Sequence, residues 1–140
     1  MTGKSDIAAS VVTTLYAYML TDLIGRCCNS VEKHEFSWSF GFGENCGLSL
    51  ECPWRIVADR KIVVAIGDDG QQYGLPEPID VSQIGAKLLA GKVVEANATR
   101  AGDLTIIFDN GIRLESFNDS SGYEAWVLST SEGIVVGRNE

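Results

Sequence analysis

Apolar and polar positions change period along this chain, and the change separates helical from extended segments. From Ile7 to Ile24 apolar residues form one long run that Thr13, Thr14, Thr21 and Asp22 interrupt. The run is too short and too polar for a membrane span, and no small-residue cleavage site follows it, so it reads as a helix of the folded domain. Ser5 is placed to cap its start, and Gly25 stands where a left-handed residue stops a helix. The period then falls from 3.6 to 2. In Phe36-Ser-Trp38-Ser-Phe40-Gly-Phe42 aromatics alternate with small residues, which predicts a strand with a heavy inner face. Gly43-Glu44-Asn45 turns the chain, and Leu48 and Leu50 mark the return strand. Trp54 to Val57 and Lys61 to Ile66 predict a hairpin through Asp59-Arg60. Gly67 to Gly70 ends it, and Gly74 to Pro78 is a connector.

A second helix is predicted from Asp80, which has capping-box spacing to Gln83, as far as Gly91. Extended segments follow at Lys92 to Thr99, Asp103 to Phe108, Ile112 to Phe117, Glu124 to Ser129 and Gly133 to Gly137. Asp109-Asn110-Gly111 carries the strongest hairpin signal, because Asn-Gly suits the positive φ angles of a type I′ turn. Asn118 to Gly122 is a polar loop.

The order of elements recurs. Gly25-Arg-Cys-Cys matches Gly91-Lys-Val-Val and Phe42 matches Phe108, both 66 residues apart. Gly47-Leu-Ser-Leu-Glu51 matches Gly111-Ile-Arg-Leu-Glu115 at 64. Trp54 matches Trp126, and Ile62-Val-Val matches Ile134-Val-Val, at 72. Either the chain is a duplication of residues 5–70 and 79–140 within one domain, 1–140, or two antiparallel meanders share their grammar by chance. The expected fold class is α+β: an antiparallel sheet with one apolar face, covered by two helices, the two units related by a pseudo-twofold axis. Whether such a sheet closes into a barrel stays open. If it does not close, its terminal strands are edges through which a homodimer can form.

Composition narrows the function. The chain has 140 residues, 45% of them hydrophobic and 21% charged, which suits one globular domain with a real core. Eleven Lys and Arg stand against 19 Asp and Glu, a net charge of −8. Such a surface repels phosphate backbones, so nucleic acid is not an expected partner, and neither is a membrane. Cys27, Cys28, Cys46 and Cys52 show no zinc spacing, and His34 is not placed as a ligand beside them. They read as free thiols at structural positions in a cytoplasmic protein. The repeat supports this: Cys27 and Cys28 match Val93 and Val94, and Cys52 matches Ser116.

No catalytic constellation, metal site or cofactor emerges. His34 lies in a charged turn, and a pair with Cys46 or Cys52 has nothing to favour it. Asp68, Asp69 and Asp109 sit in turns, which select Asp for its backbone hydrogen bonds. Gly41-Phe-Gly43 opens no helix and is not a phosphate loop. Two carboxylates are less ordinary. Asp22 matches Leu88, a core position, and there would need a partner or a cavity. Strand alternation places Glu124 on the side of Trp126, the inner side, or at the strand's exposed start. The candidate ligand-binding residues are therefore Asp22, Trp38, Trp54, Glu124 and Trp126, around a pocket between sheet and helices. Glu51, Arg55, Arg113 and Glu115 alternate outward as cross-strand charge pairs or as an interaction face for a protein partner.

Gly102-Asp-Leu-Thr-Ile-Ile-Phe108, the Asp-Asn-Gly turn, Ile112-Arg-Leu-Glu-Ser-Phe117 and Tyr123-Glu-Ala-Trp126 together resemble a family of small uncharacterised bacterial proteins, a domain of unknown function. The resemblance covers roughly Ala90 to Ser129 and transfers no catalytic residue. It implies an immunity-type or adaptor role by analogy. The reading of the whole chain is a non-enzymatic protein-binding module for a basic partner, the alternative being a small-ligand-binding or weakly catalytic domain.

Overall fold

Ten strands form two antiparallel sheets in the computed structural model, which describes residues 20–140. In chain order they are β1 (Ser30–Lys33), β2 (Trp38–Gly41), β3 (Gly47–Leu50), β4 (Trp54–Ala58) and β5 (Lys61–Ala65), then β6 (Val93–Ala98), β7 (Leu104–Phe108), β8 (Arg113–Ser116), β9 (Trp126–Thr130) and β10 (Gly133–Gly137). One sheet runs β1-β2-β3-β9-β10 and the other β5-β4-β8-β7-β6. The only α-helix longer than a single turn among the described residues is α1 (Val81–Leu88). Short 3₁₀ turns lie at Thr21–Leu23 and Ile66–Asp68.

This overturns the expected single sheet under two helices. Each sheet does turn one apolar face inward, but the face it meets is the other sheet. Trp38 and Phe40 of one sheet meet Trp54 of the other edge to face, with ring centroids 5.3 and 5.2 Å apart. Phe42 stacks on Phe108 at 6.5 Å and 16° between ring planes. Alternating strand residues on both sides, among them Leu48, Ile56, Leu104, Ile106, Leu114 and Leu128, complete a fully buried core. The helix expected from Ile7 to Ile24 falls mostly outside the described residues. Its described end holds Leu20 and the 3₁₀ turn, with Leu20 and Leu23 buried.

α1 closes one flank of the sandwich instead of covering a sheet face. Val81, Gly85 and Leu89 are buried and lie four residues apart, so one helical stripe faces the edges of β1 and β5. At Gly85 the helix backbone comes so near β1 that a Cβ would stand 3.4 Å from a Val31 methyl. Asp80 caps the helix by accepting from Gln83 N–H at 3.1 Å. The helix stops short of Gly91 because Asn110 Nδ2 donates to the Leu88 carbonyl and Cys28 N–H to that of Leu89.

Renaming β1–β5 as β6–β10, and the reverse, exchanges the sheets and leaves both strand orders unchanged. The register follows the same rule. Leu50 pairs with Trp38 and Trp126, as Ser116 pairs with Leu104 and Trp54. Phe42 N–H bonds the Cys46 carbonyl, as Phe108 N–H bonds that of Ile112. Those two loops are therefore equal in length, and the offset stays at 66 through β3 and β8. Leu50, not Cys52, is the counterpart of Ser116.

One turn also departs from expectation, and the hairpin expected through Asp59-Arg60 is present. At Asp109-Asn110-Gly111 only Gly111 has positive φ, and its N–H bonds the Phe108 carbonyl, which is a type I turn closed by a glycine bulge. The type I′ signature sits at Asp59 and Arg60, with φ of 51° and 64°.

Candidate functional site

The three tryptophans expected to wall a pocket are core residues. Trp54 and Trp126 are 1% and 0% exposed and line none of the clefts described below; Trp126 lies flat over Gly137, where a Cβ would collide with the indole. Trp38 is also buried but forms the floor of a surface cleft. Asp22 is half-buried in the 3₁₀ turn, and its carbonyl accepts from Arg26 Nε at 2.7 Å. Glu124 is exposed, because β9 starts only at Trp126 and the alternation that would turn Glu124 inward does not reach it. None of the clefts described below brings Asp22, Trp54, Glu124 and Trp126 together.

The four expected partner-facing residues divide in two. Arg55 Nε meets Glu115 Oε1 at 2.9 Å across β4 and β8, and Arg113 Nη2 meets Glu115 Oε2 at 3.3 Å. The Arg55 guanidinium also lies 4.8 Å from the centre of the Phe117 ring. With Arg60 and Asp59 these groups line an open groove of about 590 Å³ on the outer face of the sheet. Glu51 is elsewhere. It lies just after β3, where the chain crosses between sheets, and its N–H bonds the Ala125 carbonyl at 2.8 Å.

Glu51 belongs to two adjoining clefts that share Phe36 as well. The first, about 390 Å³, has a floor of Trp38, Leu50, Pro53 and Ile66 and a rim of Lys33, Glu35 and Glu51. The second, about 710 Å³, runs from Phe36 to Tyr123 past Glu51, Asp119, Glu124 and Arg138. Phe36 and Tyr123 are 84% and 82% exposed, the two highest values among the large apolar side chains described. Among the described residues no cation pairs with Glu35, Glu51, Asp119 or Glu124, whereas Lys33 is held by Asp69 at 3.4 Å. Acidic groups left open beside exposed aromatic rings can take a cationic side chain by charge and by its attraction to the ring face.

Burial disfavours the thiolate at Cys28, Cys46 and Cys52. Cys52 lies in the first cleft with His34, yet burial pushes its thiol up to about 11, against the smaller opposing effect of the Ser116 hydroxyl. A nucleophile needs the opposite shift. His34 Nε2 bonds Ser39 Oγ at 2.8 Å. Burial likewise raises Cys28 to about 11 and raises Cys46. Cys27 is exposed, against the expectation of structural burial for these cysteines.

The turn carboxylates hold the backbone. Asp68 accepts from Ala65 N–H, Asp69 from Val81 N–H and Asp109 from Lys92 N–H. No group of three or more His, Cys, Asp or Glu among the described residues is placed to hold a metal ion. Sequence reasoning missed Phe36 and Tyr123 as surface residues. Phe36 continues the aromatic alternation of β2 and so reads as core, although β2 begins only at Trp38.

No family model, curated protein or solved structure matches this chain. Among the described residues no helix is long and apolar enough to cross a membrane.

Proposed function

We propose that this chain is a non-enzymatic protein-binding module that recognises a basic surface of its partner through the Phe36–Tyr123 face. The observation that carries this reading is the pair of exposed aromatic rings on one cleft with Glu51, Asp119 and Glu124, none of them ion-paired within the described fold. Burying exposed rings drives association, and unpaired acids select a basic partner and steer its approach. The net charge of −8 adds to that steering. The outer-face arginines already engage Glu115, so they contribute less to a new contact.

The acidic balance, with the resemblance of Ala90 to Ser129 to small bacterial proteins, is what an immunity-type or adaptor role rests on. Four cysteines without a disulfide support a cytoplasmic, reducing setting.

The test is capture on the tagged full chain from host lysate at low and high salt, with Glu51→Lys/Glu124→Lys in parallel. The expected result is one stoichiometric protein that salt releases and the charge-reversed chain does not hold. Equal capture by both chains, or only substoichiometric proteins, overturns the reading.

A further inference from the structure

The two halves of the fold differ at one corresponding place, and there the difference opens a cleft. Counting back from the equivalent strand residues Trp38 and Leu104, Phe36 corresponds to Gly102. In the second half this position is roofed by the chain itself. Gly102 is buried, and a Cβ on it would stand 2.9 Å from both the Arg138 backbone and the Asn118 amide. Asn118 Nδ2 donates to the Ala101 carbonyl at 2.7 Å, and Glu140 N–H donates to the Arg100 carbonyl at 2.7 Å. The tail after β10 thus lies over the β6–β7 turn.

Among the described residues the first half has no such roof. After β5 the chain coils into the 3₁₀ turn Ile66–Asp68, which sets Ile66 in the floor of the cleft beside the β1–β2 turn and Asp69 against Lys33. Phe36 stands 84% exposed beside the open cleft of about 390 Å³. Its floor is apolar, formed by Trp38, Leu50 and Ile66, and Glu35 and Glu51 stand at its rim.

We propose that this cleft binds an extended segment of a protein partner in the place that the chain's own tail takes on the second half. An apolar side chain of the segment sits on the Trp38–Ile66 floor. Lys or Arg on either side of it reach Glu35 and Glu51, and a backbone N–H meets the β1–β2 turn as Glu140 N–H meets Arg100. This mode is main-chain bonding for affinity with a side-chain pocket for choice. It rests on the protein-binding reading above and adds the form and chemistry of the bound segment.

The test selects random displayed peptides on the full chain and titrates the winning peptide onto isotope-labelled protein followed by amide chemical shifts. The expected consensus is an apolar residue flanked by Lys or Arg. Shifts should gather at residues 33–38, 50–53 and 66–67 and spare the roofed counterpart at 99–104. Phe36→Gly and Glu51→Gln, both at the surface, should each weaken the peptide roughly tenfold, in the range of an interface hot spot. Shifts confined to Asp119 and Glu124 would overturn this inference and leave the acidic-face reading standing. An acidic consensus, an unaltered affinity in both variants, or no selected peptide would also overturn it, and the lysate capture would then judge the broader reading separately.

Discussion

The stack of Phe42 on Phe108 is the most direct measure of whether two sheets, and not a sheet and helices, make this core. Each ring is 1% exposed; Phe108 belongs to β7 of one sheet and Phe42 directly follows β2 of the other. Truncating either to Ala costs about 3–5 kcal/mol. Two such losses approach the total stability of a typical domain, about 5–15 kcal/mol. Leucine is the better probe, because it keeps the site apolar and costs about 1–2 kcal/mol per position by the area it removes. The rings lie 6.5 Å apart and nearly parallel, a geometry worth about 0.5–1.5 kcal/mol beyond burial. Phe42→Leu/Phe108→Leu should therefore lose less than the sum of the single variants by about that amount. Urea unfolding followed by fluorescence of the three buried tryptophans measures it. Each single variant should lower the midpoint by roughly 0.5–1 M at an unchanged slope. Additivity within about 0.3 kcal/mol would refute the reasoning, because residues without contact behave that way.

The thiols and one turn give two further expectations. A thiol reagent at neutral pH should label Cys27 quickly and the three buried cysteines only after denaturation; rapid labelling of Cys52 would show that the first cleft opens to its floor. The same burial sets a pH dependence. Folding raises Cys28 and Cys52 from 9.0 to about 11, so this contribution to stability is complete below pH 9 and is lost as pH rises from 9 through 11. Cys28→Ala/Cys52→Ala should flatten the alkaline limb of the stability curve. In the β4–β5 turn, Asp59→Asn/Arg60→Gly should stabilise the fold by about 1–2 kcal/mol, because Gly adopts the left-handed backbone that costs Arg60 energy. A melting temperature that fails to rise would show that this turn relaxes in solution.

How much of this could be read from the chain follows from what each signal encodes. Alternation reveals that one strand face is buried and is silent about what buries it. The heavy faces of Trp38-Phe40-Phe42 and Leu104-Ile106-Phe108 were thus legible, while their burial against opposing strands was not. β1 left almost no trace, because Val31 is its single buried residue and alternation needs at least two. Alternation also misleads where a strand has ended. Phe36 continues the parity of β2, yet it precedes the first paired residue and points to solvent, whereas Glu124 stands at the exposed start of its strand, one of the two places expected for it. Both residues belong to the candidate site. A turn that carries its strand's aromatic pattern past the last hydrogen bond leaves a large ring outside the core. The second half instead puts a buried glycine, Gly102, at the corresponding position. The exposure of Phe36 is what separates the open cleft from the roofed one, and the proposed binding role predicts that replacing Phe36 changes affinity more than stability.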